Sequence, residues 1–553
     1  MLTIDELAAI PLFSSLEAAA LKELSRTAAD MHLNVGEYAV HEGDEPALYV
    51  VLEGNFEVTK LIDGINRTIG QRAVGIIFGE IPLVYGTQFQ SNCHAIEPSR
   101  VLRIDARNYY VAAAATPDLA KAVGDLARER LGGLQGLATE PHQAKVTMVG
   151  PRWDASCLKL RTFLTRNQIS YNWITLDAPE LPEQWPGPPP TECPALRLAD
   201  GTTLIQPQTR ELAELLGLQT TARETEYDTI IIGGGPAGLA AAVYGASEGL
   251  RTIAIEREAP GGQAGTSSRI ENYLGFPSGI SGDELARRAL SQARRLGAEI
   301  LTTRDVASID TKARTILLDG DELLRARTII LATGVSWRRP AIDDINRFIG
   351  KGVYFGAARS EAHITQGQDV HLIGAGNSAG QAAMFFSSHA RTVTLVVRGE
   401  SLEKSMSQYL IEQLHSKSNI EIALGSEVHA IHGDDHLTAI DLINRTDKSQ
   451  RRVDCGGLFV FIGADAETDW LPSEIIRNER GYVLTGDDLV KAGSWKQSYD
   501  PMLLETSVAG IFACGDVRYS PVKRVASAVG EGSMAIAFVH QYLQRHETSP
   551  AKS

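Results

Sequence analysis

The stretch "YDTIIIGGGPAGLAAAVYGASEGLRTIAIERE", residues 227–258, decides the fold of the larger part of this 553-residue chain. An apolar run leads into a glycine-rich turn, and an alanine-rich run follows. Gly233 permits a tight turn, Gly235 lets the backbone approach a pyrophosphate, and Gly238 allows a helix to pack closely on a strand. Pro236 and Ala237 lie between them at the helix start, whose N-terminus then faces negative charge. Glu256 ends the next strand, where a carboxylate accepts hydrogen bonds from ribose hydroxyls. Strand, helix and terminal acid in register predict a dinucleotide-binding βαβ unit; a glycine-rich structural turn is the alternative.

The pattern returns in "QDVHLIGAGNSAGQAAMFFSSHARTVTLVVRG", residues 368–399, with Gly374, Gly376 and Ala379, and with Asn377 and Ser378 between them. This strand ends in Arg398 instead of an acid. A guanidinium suits a 2′-phosphate, which a carboxylate would repel, so the second site is expected to prefer NADPH over NADH. Otherwise Arg398 is a solvated charge at a strand end. Alternating strands and helices from residue 227 onward predict parallel sheets covered by helices. "IILATG" supplies a short strand and turn ending at Gly334, and "TSVAGIFACGDV" a strand ending at Gly515 and Asp516.

Residues 227–545 resemble the thioredoxin reductase family of two-domain flavoproteins. The resemblance rests on "GGGPAGLAAAVY", "PGGQA", "IENYLGFP", "ATG", "GAGNSA" and "TSVAGIFACGDV", in the family's order. It implies FAD in the first site and NADPH in the second. By match, Gly262, Gln263 and Asn272 contact the flavin, Asp516 the ribitol or phosphate region, and Arg524 and Val525 the ring. The FAD domain is then discontinuous, 227–338 and 466–553, with an NADPH domain, 339–465, inserted. Family members rotate that inserted domain between two poses and are commonly homodimers.

Two departures matter. The family carries C-x-x-C shortly before its second glycine turn; here "GVYFGAARSEAH" puts Gly356, Ala357, Ala358 and Arg359 in those positions. Thiol–disulfide chemistry needs a thiolate, which neither glycine nor arginine supplies. The five cysteines, Cys93, Cys157, Cys193, Cys455 and Cys514, are scattered, with no C-x-x-C, which argues against a disulfide scaffold or a zinc site and fits a reducing cytoplasm. The family also places further basic residues after the second strand, where "VRGESLEKS" offers only Arg398 and Lys404.

Residues 1–138 read as a β-roll with helices at its ends, closed by a helix in "YYVAAAATPDLAKAVGDLARERL". They resemble a regulatory cyclic-nucleotide-binding domain through "IPLFSSL", "VGEYAVHEGDEPALYVVLEGNFEV" and "FGEIPLVYG". By that match Gly79 and Glu80 are the candidate ligand contacts, Glu80 for a ribose hydroxyl. The arginine expected soon after is missing from "GTQFQSNCHA", which removes a charge-assisted pair to a cyclic phosphate. Residues 145–218 read as strand-helix-strand-strand-strand-helix and resemble a glutaredoxin or thioredoxin module. "CPALRLADG" holds the proline before the third strand, and "WDASC" keeps only the second cysteine of the active-site turn, Cys157.

Net charge is -15, so nucleic acid and an anionic membrane surface are not expected as partners. No run of about 18 apolar residues and no signal peptide are evident. The expected function is an NADPH-oxidising flavoprotein whose electron acceptor, a small molecule or a redox protein, the sequence does not name. Reduction of ferredoxin or flavodoxin, disulfide reduction through other cysteines, and a ligand-gated regulator with structural FAD are the alternatives. No catalytic side chain and no metal ligand is assigned.

Overall fold

The computed structural model describes residues 3–14, 16–62, 65–139, 144–267, 269–277, 279–355, 365–520 and 522–547. Two compact units result, Met1–Lys145 and Val146–Ser553. Positions 356–359, which align with the family's redox pair, lie outside the described residues.

The first unit contains two four-stranded antiparallel sheets. One has the order Ala29–Leu33, Ser99–Asp105, Ala47–Glu53, Ile77–Phe78, the other Tyr38–Val40, Asn92–Ala95, Phe56–Ile62, Ile65–Arg72. The strand Ala47–Glu53 is apolar on both faces because both are covered. Leu48 and Val50 pack with the helices, while Ala47, Tyr49 and Val51 pack against the second sheet. The single closing helix expected from sequence is two, Ala106–Ala115 and Pro117–Thr139. Proline lacks the N–H that would continue the ladder and pushes its predecessor out of the helical region; Thr116 is accordingly extended, at φ -134° and ψ 92°.

The second unit begins with a small module. Its sheet runs Tyr171–Thr175, Val146–Gly150, Ala195–Leu198, Thr203–Ile205, with the first pair parallel and the rest antiparallel. Helices Ala155–Arg166 and Thr209–Leu215 accompany it, and a short helix, Leu181–Gln184, adds a turn to the proline-rich loop. Asp154 caps the first helix by accepting the Cys157 N–H at 2.8 Å. The Cys193–Pro194 peptide is cis.

The first glycine turn lies in a sheet whose parallel core is Glu299–Leu301, Thr252–Ile255, Glu226–Ile232, Leu323–Leu331 and Ile511–Ala513. Residues 230–232 are all buried, as an unbroken apolar run must be when helices cover both faces. The long strand Leu323–Leu331 divides its pairing. Its start runs antiparallel to Thr315–Leu318, and its end runs parallel to Ile511–Ala513, which arrives from far down the chain. The second turn lies in a five-stranded parallel sheet, ordered Val353–Phe355, Gly457–Val460, Asp369–Ile373, Thr392–Val397, Ile420–Leu424. Between the two sheets the chain crosses at one two-stranded ribbon, Ser336–Trp337 with Ala464–Asp465, where Arg338 pairs with Asp465 at 2.5 Å.

The small module touches both sheet domains. Toward the first, Arg166 pairs with Glu258 at 2.9 Å, and Arg210 donates to the Thr303 carbonyl at 2.9 Å and pairs with Asp319. Toward the second, Trp153 stacks on His436 at 4.8 Å, and Leu158 joins the core built on Tyr354, Val370 and Phe459. Among the described residues no helix is long and apolar enough to cross a membrane, and no three His, Cys, Asp or Glu side chains cluster to hold a metal ion.

Candidate dinucleotide sites

A cavity of about 620 Å³ opens where the strand Glu226–Ile232 meets the helix Pro236–Ser247. Gly235 is the residue at the helix cap and Pro236 opens the first turn, so unpaired N–H groups and the positive end of the helix dipole face the space. The loop 259–263 comes so close that a Cβ on Gly262, whose φ is +54°, would sit 2.9 Å from the Gly235 Cα. Only glycine allows two backbones to meet there.

Glu256 is buried beside this turn. Its carboxylate accepts the Gly234 N–H at 2.8 Å and the Glu258 N–H at 3.0 Å. Burial raises its pKa against those two hydrogen bonds and the nearby Arg166 charge. At the opposite side Asp516 is raised by burial too, opposed by Lys523, whose ammonium donates to the Asp516 and Arg518 carbonyls at 2.7 Å each. Gly515 is fixed by its N–H bond to Glu531 at 2.7 Å, and Glu531 pairs with Arg518 at 2.5 Å.

Gly233, Gly235, Pro236, Ala237, Glu256, Gly262, Gln263, Gly334, Asp516, Arg524 and Val525 all border the cavity. Gln263 also donates its amide to the Val335 carbonyl. Gly238 does not border it but packs the helix on the strand, a Cβ there running into the Gly233 carbonyl. Asn272 does not border it either: the bridge between Ile270 and Ile280 closes a loop on which Asn272 is exposed.

Some wall residues were not predicted. Thr162 and Arg166 come from the small module, Trp337 from the connecting ribbon and Phe355 from the edge strand of the second sheet. Arg166 also donates to the carbonyls of Ala259 and Gly262, at 2.8 and 3.2 Å. The sequence carries no sign that the helix bearing Arg166 docks here. Phe355, a wall residue, is the neighbour in sequence of position 356.

At the second turn Gly376 caps the helix Asn377–Phe386, and a Cβ on Gly374 would press on Ala379 at 3.2 Å. The Asn377 side-chain Oδ1 accepts the Ser407 N–H at 2.8 Å, tying the turn to the next loop. Ser378 follows at the second position of the helix, and Arg398 and Lys404 are exposed. In the first unit, Gly79 precedes the helix Glu80–Tyr85 with φ +90°, and Glu80 is 3% exposed. Its carboxylate lies 3.1 Å from Arg130 of the long closing helix, whose guanidinium also donates to the Ile77 carbonyl at 2.7 Å. Glu80 is thus paired with an arginine from a distant helix, and the adjacent loop holds none.

A profile described as pyridine nucleotide-disulphide oxidoreductase matches residues 227–532, more than half of the chain. The chain belongs to the pyridine nucleotide-disulphide oxidoreductase family. It is an oxidoreductase of the thioredoxin reductase type, a type that uses FAD and NADPH. A thioredoxin reductase of Listeria innocua is 31% identical over 324 residues, 58% of this chain and 96% of the relative. A protein of Clostridium pasteurianum described as a 34.2 kDa protein in the rubredoxin operon is 29% identical over 321 residues, 58% and 98% of the two chains. The crystal structure of T. acidophilum thioredoxin reductase aligns with a TM-score of 0.52 at 27% identity, covering 58% of this chain and all of that one. A cyclic nucleotide-binding domain profile matches residues 31–113. This family member thus carries a cyclic-nucleotide-binding-like β domain ahead of its reductase fold.

The first cavity fits a dinucleotide on its own chemistry. It has a helix N-terminus for phosphate, a carboxylate for ribose, a glycine pair that admits a close backbone, and two buried polar atoms without a described partner, Thr333 Oγ1 and Arg166 Nε, on residues that border it.

Proposed function

We propose that the chain is an NADPH-oxidising flavoprotein reductase that gives its electrons to an outside acceptor, with no dithiol of its own between flavin and acceptor. When bound, NADPH supplies a hydride and FAD takes it up and releases the electrons onward. Gly233, Gly235, Pro236 and Ala237 would hold the pyrophosphate, with Gly238 setting the helix on its strand, and Glu256 the ribose. Gly334 would lie along the chain of that cofactor. Gly262, Gln263, Asp516, Arg524 and Val525 would position its flavin half. Gly374, Gly376, Asn377, Ser378 and Ala379 would hold the NADPH pyrophosphate, with Arg398 for the 2′-phosphate. We read 227–338 with 466–553 as the FAD domain, 339–465 as the NADPH domain, 145–218 as a thioredoxin-like module and 1–138 as the β-roll.

The condition of the cysteines carries this reading. Cys514 and Cys455 are buried, and desolvation pushes both thiols well up. Cys93 is pushed up to about 12 by burial. Cys157 is raised by burial and then by Asp154, and the partly exposed Cys193 by the same two causes. A thiol held neutral is a poor nucleophile. Cys157 does not border the cavity; it stands five residues before the wall residue Thr162 on its helix, about 7.5 Å at the usual rise. Replacement of all five cysteines by alanine is expected to leave flavin content and NADPH-dependent reduction of ferricyanide intact. If the protein still holds flavin but loses that activity, the reading is wrong.

For the acceptor, the description of the Clostridium relative favours a small redox protein over a disulfide. A second role, ligand sensing by the first unit, is favoured by its profile match. Because Arg130 already occupies Glu80, a ligand using Glu80 would have to share or displace that ion pair.

A further inference from the structure

The small module holds a cavity of about 250 Å³, apart from the dinucleotide sites, with Arg152, Arg161, Trp173, Thr175, Glu180 and Gln184 in its wall. Arg161 stands one helical turn after Cys157 on the helix Ala155–Arg166 and is only 5% exposed. Its guanidinium lies over the Trp173 ring, 5.0 Å from the centroid. None of its five N–H groups donates to an acceptor among the described residues, no described carboxylate lies within 4.0 Å, and its Nε is sealed from solvent without a partner. The acids nearby do not answer it. Asp154 takes the Cys157 N–H, while Asp177 and Glu180 are exposed.

A buried cation without a counter-ion is among the costliest arrangements in a protein; such charges are paired or they coordinate something. Stacking on one aromatic face offsets only a small part of that cost. The planar fork of an arginine matches a carboxylate or phosphate in two parallel hydrogen bonds. A second guanidinium, Arg152, stands at the wall, and the volume falls below the roughly 300–1,000 Å³ of drug-sized sites. We infer that this cavity is a binding site for a small molecule bearing a carboxylate or phosphate, whose oxyanion is held by Arg161 and met by Arg152.

The test uses the full flavin-loaded chain, titrated calorimetrically and melted in sodium phosphate or sodium acetate against sodium chloride at equal ionic strength. Saturable binding of at least one of the two oxyanions, with a raised melting temperature, is expected, and the one that saturates identifies the class. Arg161→Met should weaken it at least tenfold and Arg161→Lys less, both with normal flavin content. In oxyanion-free buffer Arg161→Met should melt no lower than the parent protein, because an apolar side chain replaces an unpaired buried charge. Absence of saturable binding by either anion would overturn the assignment. So would an affinity unchanged in Arg161→Met, or a clear loss of melting temperature in that variant without oxyanion.

Discussion

Arg166 shows how much a single side chain from another module can do at a cofactor site. Its guanidinium holds Glu258 and the carbonyls of Ala259 and Gly262, the loop that presses on Gly235. Charge-assisted hydrogen bonds contribute about 1.5–3 kcal/mol each. Arg166→Ala is therefore expected to weaken FAD binding about 10- to 100-fold. Titration of apoprotein with FAD measures it, and an unchanged dissociation constant would mean the loop keeps its place without the arginine. Eleven residues of the cavity wall were legible in the sequence, since the turn glycines, Glu256 and Asp516 belong to local patterns with fixed offsets. Arg166 and Thr162 were not, because their part in the wall depends on how two modules dock, and nothing local encodes that. Asn272, which a matching motif assigns to the flavin, does not border the cavity.

At the scale of elements, periodicity was a good guide where a strand is buried on both sides and a poor one at breaks. The join at Thr116 and Pro117 shows it, for the alanine-rich pattern runs straight through a proline that the backbone cannot. The strand Asp369–Ile373 carries a consequence for pH. His371 is 4% exposed in the middle of it, its Nδ1 buried without a described partner, and burial lowers its pKa to about 4. The unfolded chain, with a histidine near 6.5, takes up the proton first as pH falls, so stability is full above about 6.5 and declines toward 4. The loss amounts to about 3 kcal/mol. Denaturant titrations at pH 7 and pH 4.5 should show this decline, and His371→Leu should lessen it. A decline of equal size in the variant would assign it to other groups.

For the whole molecule, the small module is fastened to both dinucleotide domains at once, through Arg166 and Arg210 on one and through Trp153 and Leu158 on the other. The two-pose cycle of thioredoxin reductases swings one domain past the other, and a swing here would have to part Trp153 from His436. That motion served an internal dithiol, and positions 356–359 contain none. Turnover without a swing has a signature in friction. A domain sweeping through solvent slows as the solvent thickens, whereas electron transfer within one fixed arrangement does not. The kcat for ferricyanide at saturating acceptor should stay flat as sucrose raises the relative viscosity, and a slope near one would show that a domain still travels on every cycle.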